Sequence, residues 1–124
     1  MVKKYYLKGA AILISYKLNS SEVDCKCDNE RCFYTLVDNN LLGLWSLFRA
    51  KWGKPVTISS GFRCQTHNAS EVVKGSKKSR HTIGSALDLV LPKKDKEEFI
   101  ALAKKYFPYV IDDYKTFIHV DVRD

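Results

Sequence analysis

The chain has 124 residues, 45% of them apolar and 28% charged, with a formal net charge of +7. A single domain of this size buries roughly two-thirds of its unfolded surface and folds without a partner. The positive charge comes from lysines scattered along the whole chain. They form no continuous basic stripe and accompany no RNA-binding aromatic motif, so nucleic acid is not the expected partner. Solubility accounts for the charge, and an acidic substrate also suits it.

Met1–Lys8 is basic and Gly9–Ser15 apolar, the outline of an export signal. The apolar run is short, Lys17 follows closely, and no small-x-small cleavage site is present. The expectation is a protein that stays cytoplasmic until released, or one that is phage-encoded. No run approaches the ~20 apolar residues of a membrane span. Residues 1–18 read as a helix or a short strand, and Asn19-Ser20-Ser21-Glu22 as a turn with capping potential.

Residues 24–33 form a loop carrying Cys25, Cys27 and Cys32, and a fourth cysteine stands at position 64. Three states are open to them. Unliganded thiols fit a C-x-C pair tighter than the usual C-x2-C of zinc sites. A structural zinc held by all four, or two disulfides, are the others.

Leu41, Leu42, Leu44, Trp45, Leu47, Phe48 and Trp52 recur at helical spacing, which predicts a helix over about 38–52, ended by Gly53 and Pro55. Val56–Ser59 is β-branched and predicts a strand, residues 61–80 a long exposed loop, and Ser85–Leu91 a second strand. Pro92 and Asp95 open a helix over about 95–106, with Phe99, Leu102, Ala103 and Tyr106 on one face. Two strands follow, near Tyr109–Asp112 and Thr116–Val122. Ala11–Ser15, Leu41–Phe48, Val56–Ser59 and Leu87–Leu91 are the expected core. The order, a helical first half and then strands around one helix, predicts an α+β fold with a mainly antiparallel sheet.

The three histidines stand at 67, 81 and 119. In a strand, His119 and Asp121 share one face, while Ile118, Val120 and Val122 take the other. Ala86 and Asp88 likewise share a face opposite Leu87 and Leu89. Asp88 is an acid within an apolar strand, and a buried carboxylate needs a partner such as a metal. Gly84 and Ser85 keep the chain narrow, so His81 and Asp88 can turn to one point. Two imidazoles and a carboxylate suit a tetrahedral Zn²⁺ with one position open to water, whose pKa the metal lowers. The plainer alternative is a surface histidine that happens to lie near an aspartate.

Ser79-x-His81-x6-Asp88 followed by His119 resembles the S-x-H-x6-D…H signature of the zinc D-alanyl-D-alanine carboxypeptidases and their relatives. These include phage L-alanyl-D-glutamate endolysins, the vancomycin-resistance dipeptidase and the Hedgehog signalling domain. Ile58–Cys64 resembles the "SGYR" strand end of these peptidases, His67-Asn68 with Val72 the "HN…V" after it, and Phe117–Arg123 the closing "FVHVDVR" strand of a short phage and bacterial subgroup.

The resemblance implies a Hedgehog/DD-peptidase-like fold over one zinc peptidase domain spanning 1–124. It implies zinc held by His81, Asp88 and His119. Arg63 would face the scissile carbonyl or a substrate carboxylate. Ser79 would hydrogen-bond substrate or orient the ligand loop. The implied activity is hydrolysis of peptidoglycan stem peptides, of D,D-carboxypeptidase or L,D-endopeptidase type, by an expected monomer. One position departs from the pattern. Many relatives carry the general-base carboxylate three residues before the last histidine, where this chain has Thr116. Asp121 is the first replacement, with a second role open to it as the anchor of a ligand imidazole. Asp113 is the next, because the Hedgehog domain has a glutamate at that offset. The departure also leaves open a zinc-containing binding module with weak or no turnover.

Overall fold

A computed structural model describes residues 3–69 and 79–123. Val72 and the lysines at 74, 77 and 78 lie outside the described residues. The architecture is α+β, with antiparallel sheets and, among the described residues, three α-helices. Two small ladders come first. Strand β1 (Lys3–Leu7) pairs with β4 (Tyr34–Asp38), and β2 (Leu13–Ser15) with β3 (Leu18–Asn19). The main sheet has the order β5-β6-β8-β7, formed by Ile58–Ser60, Ala86–Val90, Phe117–Asp121 and Tyr109–Ile111. Helix α1 (Asn39–Trp52) and helix α3 (Lys96–Tyr106) pack together, and the short α2 (Gln65–Asn68) follows β5.

The local chemistry of α1 explains its ends. The Asp38 carboxylate accepts from the Asn40 N–H at 2.8 Å, and Gly53 closes the helix at φ 73°. Leu41, Leu42, Trp45 and Phe48 form its buried stripe. Phe99 of α3 meets Phe48 edge-on at 5.3 Å and Trp52 at 5.0 Å. Ile118, Val120 and Val122 complete the core from β8 and the residue after it, and Leu87 and Leu89 from β6. The opposite face of β6 and β8 is thereby left for Asp88, His119 and Asp121.

Several expectations need correction. The first half is not mainly helical, since four strands and one long helix precede residue 53. Tyr34–Asp38 is rich in β-favouring side chains, and β1 is its partner, with Tyr5 and Tyr34 rings 5.5 Å apart. Of Ala11–Ser15 only Ile14 packs against the core, and it is half-buried. Ala11 and Lys17 turn the chain at φ 54°, Ile12 and Leu13 face outward, and Leu18 and Val23 are buried instead. The first strand of the main sheet starts at Ile58 rather than Val56. The described part of 61–80 is not simply an exposed loop, because Phe62, Asn68 and the turn α2 fold back against the body. The capping reading of Asn19–Glu22 does hold. Those residues open a 3-10 turn, Ser20–Val23, with Glu22 accepting from the Asn19 N–H at 2.7 Å.

Candidate metal centre

A second 3-10 turn, Arg80–Ile83, carries His81. Ser79 caps it, its Oγ accepting from the His81 N–H at 3.3 Å. The Thr82 hydroxyl donates back to the Ser79 carbonyl at 2.7 Å. Gly84 ends the turn at φ 72°, where a Cβ would stand 2.2 Å from the Leu36 carbonyl oxygen. Only glycine lets this turn lie against β4. The Gly84 carbonyl accepts from the Asp38 N–H at 2.9 Å, fixing the turn to the start of α1.

This placement brings His81 to Asp88, while the β6–β8 register sets Asp88 directly opposite His119. His81 Nε2 lies 3.1 Å and His119 Nδ1 3.2 Å from the same oxygen, Asp88 Oδ1. The remaining ring nitrogens settle the tautomers. His81 Nδ1 lies 2.7 Å from the Gly61 carbonyl, which can only accept, so Nδ1 carries the proton. His119 Nε2 donates to Asp121 Oδ2 at 2.8 Å. In their neutral forms both rings therefore turn a lone pair toward a carboxylate oxygen, an arrangement that a cation at its centre would satisfy. Zinc bonds of about 2.0–2.1 Å in a tetrahedron set ligand atoms about 3.3 Å apart. The observed separations match, and the residues fit the ion.

Burial alone would push the Asp88 carboxyl up, but its polar contacts with the His119 and His81 rings outweigh burial and hold it at about 2. Burial would lower His119, yet its hydrogen bonds to Asp121 and Asp88 raise it above the ordinary histidine range. Burial likewise opposes ionisation of Asp121, and the Arg123 and His119 hydrogen bonds overcome it, leaving its pKa lowered.

Asp121 is fully buried, and both of its oxygens are engaged. Arg123 Nε reaches Oδ1 at 2.9 Å and Nη2 reaches Oδ2 at 2.7 Å. The Arg123 guanidinium lies 3.5 Å over the Tyr109 ring. Asp113 is exposed in the connection between β7 and β8, as is Thr116. Arg63 sits at the centre: Nη2 reaches Asp88 Oδ2 at 3.4 Å, Nη1 reaches Asn68 Oδ1 at 3.0 Å and Nε reaches the Ser60 hydroxyl at 3.1 Å. His67, in α2, is not part of the His81–Asp88–His119 group.

Three supporting residues escaped the sequence analysis as members of the site: Gly61, Asn68 and Arg123. Arg123 stands two beyond Asp121, the same spacing that links His119 to Asp121, and that periodicity was its available signal. Asn68 adjoins the matched His67. The role of Gly61 is a backbone carbonyl, which no side-chain pattern announces.

The four cysteines also converge, with Sγ atoms all within 4.8 Å of one another, and no disulfide joins them. No helix among the described residues is long and apolar enough to cross a membrane.

The family model described as Peptidase M15 matches residues 15–121. No curated protein matches the chain. The match covers the whole of the His81, Asp88 and His119 group and most of the chain: this protein belongs to the peptidase M15 family, the zinc metallopeptidases of D-alanyl-D-alanine carboxypeptidase type.

Proposed function

We propose that residues 1–124 act as a single zinc peptidase domain of the Hedgehog/DD-peptidase fold, hydrolysing peptide bonds in peptidoglycan stem peptides, with His81, Asp88 and His119 as the metal ligands. The observation that carries this reading is the convergence of two imidazole lone pairs on one Asp88 oxygen. When bound, zinc supplies a Lewis acid that acidifies water and polarises the scissile carbonyl. The chain's own residues supply the rest. Gly61 and Asp121 hold the two imidazoles in their ligand tautomers.

Arg63 holds the second oxygen of Asp88, while each terminal nitrogen keeps another N–H for a substrate oxygen. That fork suits the oxyanion of the attacked carbonyl or a stem-peptide carboxylate. Ser79 orients the ligand turn. Asp121, with both oxygens engaged, serves first as the anchor of His119, and the exposed Asp113 is the other candidate for the proton acceptor. The net charge of +7 suits a substrate rich in free carboxylates. A phage or bacterial endolysin acting as a monomer is the setting that fits these features.

Mass analysis of muropeptides after digestion of purified peptidoglycan tests this. The expected result is a new peptide terminus that a chelator abolishes and added zinc restores. Its position separates D,D-carboxypeptidase from L,D-endopeptidase cleavage. The engagement of Asp121 and the presence of Thr116 favour one second reading, a zinc-containing binding module. Peptide binding with zinc present and every muropeptide intact would establish it.

A further inference from the structure

A second set of ligand-type side chains lies apart from the histidines. Cys25 and Cys27 follow the Ser20–Val23 turn, Cys32 closes the same loop, and Cys64 is the N-cap of α2. Cys64 Sγ lies 3.7 Å from Cys25 Sγ and 3.8 Å from Cys27 Sγ. Four thiolates around zinc, with bonds of about 2.3 Å, form a tetrahedron whose edges are about 3.8 Å.

The surroundings suit a charged cluster of that kind. The Cys64 N–H points to Cys25 Sγ and the His67 N–H to Cys64 Sγ, each at 3.4 Å. The Lys8 ammonium lies 3.5 Å from Cys27 Sγ and donates to the Cys27 carbonyl at 2.8 Å. These donors offset the double negative charge of a zinc tetrathiolate. Phe62, Tyr34 and Leu36 pack in one cluster with the four cysteines, and Cys25 and Cys32 are buried.

We propose that Cys25, Cys27, Cys32 and Cys64 bind a zinc ion as four thiolates, forming a structural site separate from the His81, Asp88 and His119 centre. As each sulfur–zinc bond forms, a thiol proton passes to solvent, and nothing is oxidised or reduced. Four protein ligands fill the tetrahedron, so the site has no position for substrate. Its work is mechanical. Cys64 is the residue after Arg63, and Phe62 and Gly61 precede them, so the ion clamps the cysteine loop to the strand end that supports the histidine centre.

Metal analysis of the intact chain reads the proposal directly. The expected content is two zinc ions per chain, falling to one in His119→Ala and to one in Cys27→Ser. Cys27→His restores the second, because imidazole is itself a zinc ligand and Cys27 is only half-buried. Should Cys27→Ser fail to fold, the unaltered chain still answers. A thiol-binding mercurial then releases one zinc as the sulfurs react. After cobalt replaces zinc, a sulfur-to-metal charge-transfer band persists in His119→Ala. A single zinc that disappears in His119→Ala, with all four thiols freely reactive, overturns the proposal, as does iron in place of zinc or a pair of disulfides. The cysteine zinc is read in His119→Ala and the histidine zinc in Cys27→Ser, so either assignment can fail while the other stands.

Discussion

Asp121 accepts a 2.8 Å hydrogen bond from the His119 Nε2–H, and this leaves Nδ1 of the same ring to face Asp88. Reversing the ring's proton would remove one of the three proposed ligand atoms. The identity of residue 121 is therefore tied to metal affinity. Asp121→Asn is expected to weaken zinc binding by ~10–100-fold, the usual effect of losing such a partner. Competition against a chelator of known affinity measures it. Unchanged affinity with abolished turnover would instead make Asp121 the proton acceptor.

Arg63 contacts Asp88, Asn68 and Ser60 through three different nitrogens. Arg63→Ala should lower kcat by ~10²-fold or more if the guanidinium meets the oxyanion. A loss confined to KM would place it on a substrate carboxylate. Arg63→Lys should not rescue either defect, because an ammonium cannot span the three partners. Steady-state kinetics on a stem peptide separates these outcomes.

Two glycines should respond to alanine with opposite signs. Gly84→Ala places a methyl 2.2 Å from the Leu36 carbonyl oxygen at a φ of 72°. The left-handed backbone alone costs about 1–2 kcal/mol, and the clash adds to it. Gly43 lies inside α1 with nothing within 4 Å of its absent side chain, so Gly43→Ala should gain about 0.5–1 kcal/mol. Denaturant titration of both variants gives the comparison.

Zinc removal should uncover two pH limits. The raised pKa of His119 makes its contribution to stability complete below the unfolded value of 6.5 and lost as pH rises through the folded value. The depressed Asp88 contributes fully above 3.8, and that contribution is lost as pH falls through about 2. The metal-free chain should therefore lose stability as pH rises above 6.5 through the folded value of His119, and again in strong acid. Zinc should oppose the first loss, because deprotonated imidazole is the ligand form. Thermal melts across pH, with chelator and with zinc, test both signs.

Strand parity put Asp88 and His119 each on one face of its strand, and the resemblance to the zinc peptidases joined His81 to them, while spacing made the helices at 39–52 and 96–106 legible. Apolar residues at helical intervals and a two-residue alternation are local properties, and these elements depend on little else. Strand β4 is different. Its Tyr34–Asp38 run takes its identity from β1, far away in the chain, and sits between a loop and a helix that dominate the pattern. Ala11–Ser15 looked like core because it is apolar, but the backbone turns at Ala11 and Lys17 decide which face it shows. The proton positions on His81 and His119 depend on a carbonyl twenty residues upstream and a buried carboxylate. Neither is encoded in ligand spacing.

In the main sheet, β6 lies between β5 and β8, so neither of its neighbours follows it directly in the chain. The stretch from Asp88 to His119 must first pass through α3 and β7 before β8 can zip against β6. Closing that span costs chain entropy before any pairing repays it. The His81–Asp88 half can form early, as a turn and its adjoining strand, but the third donor arrives only with the final strand. During refolding, capture of a metal by the histidines should thus coincide with the slowest step, and a metal-sensitive dye would record the moment the sheet is completed.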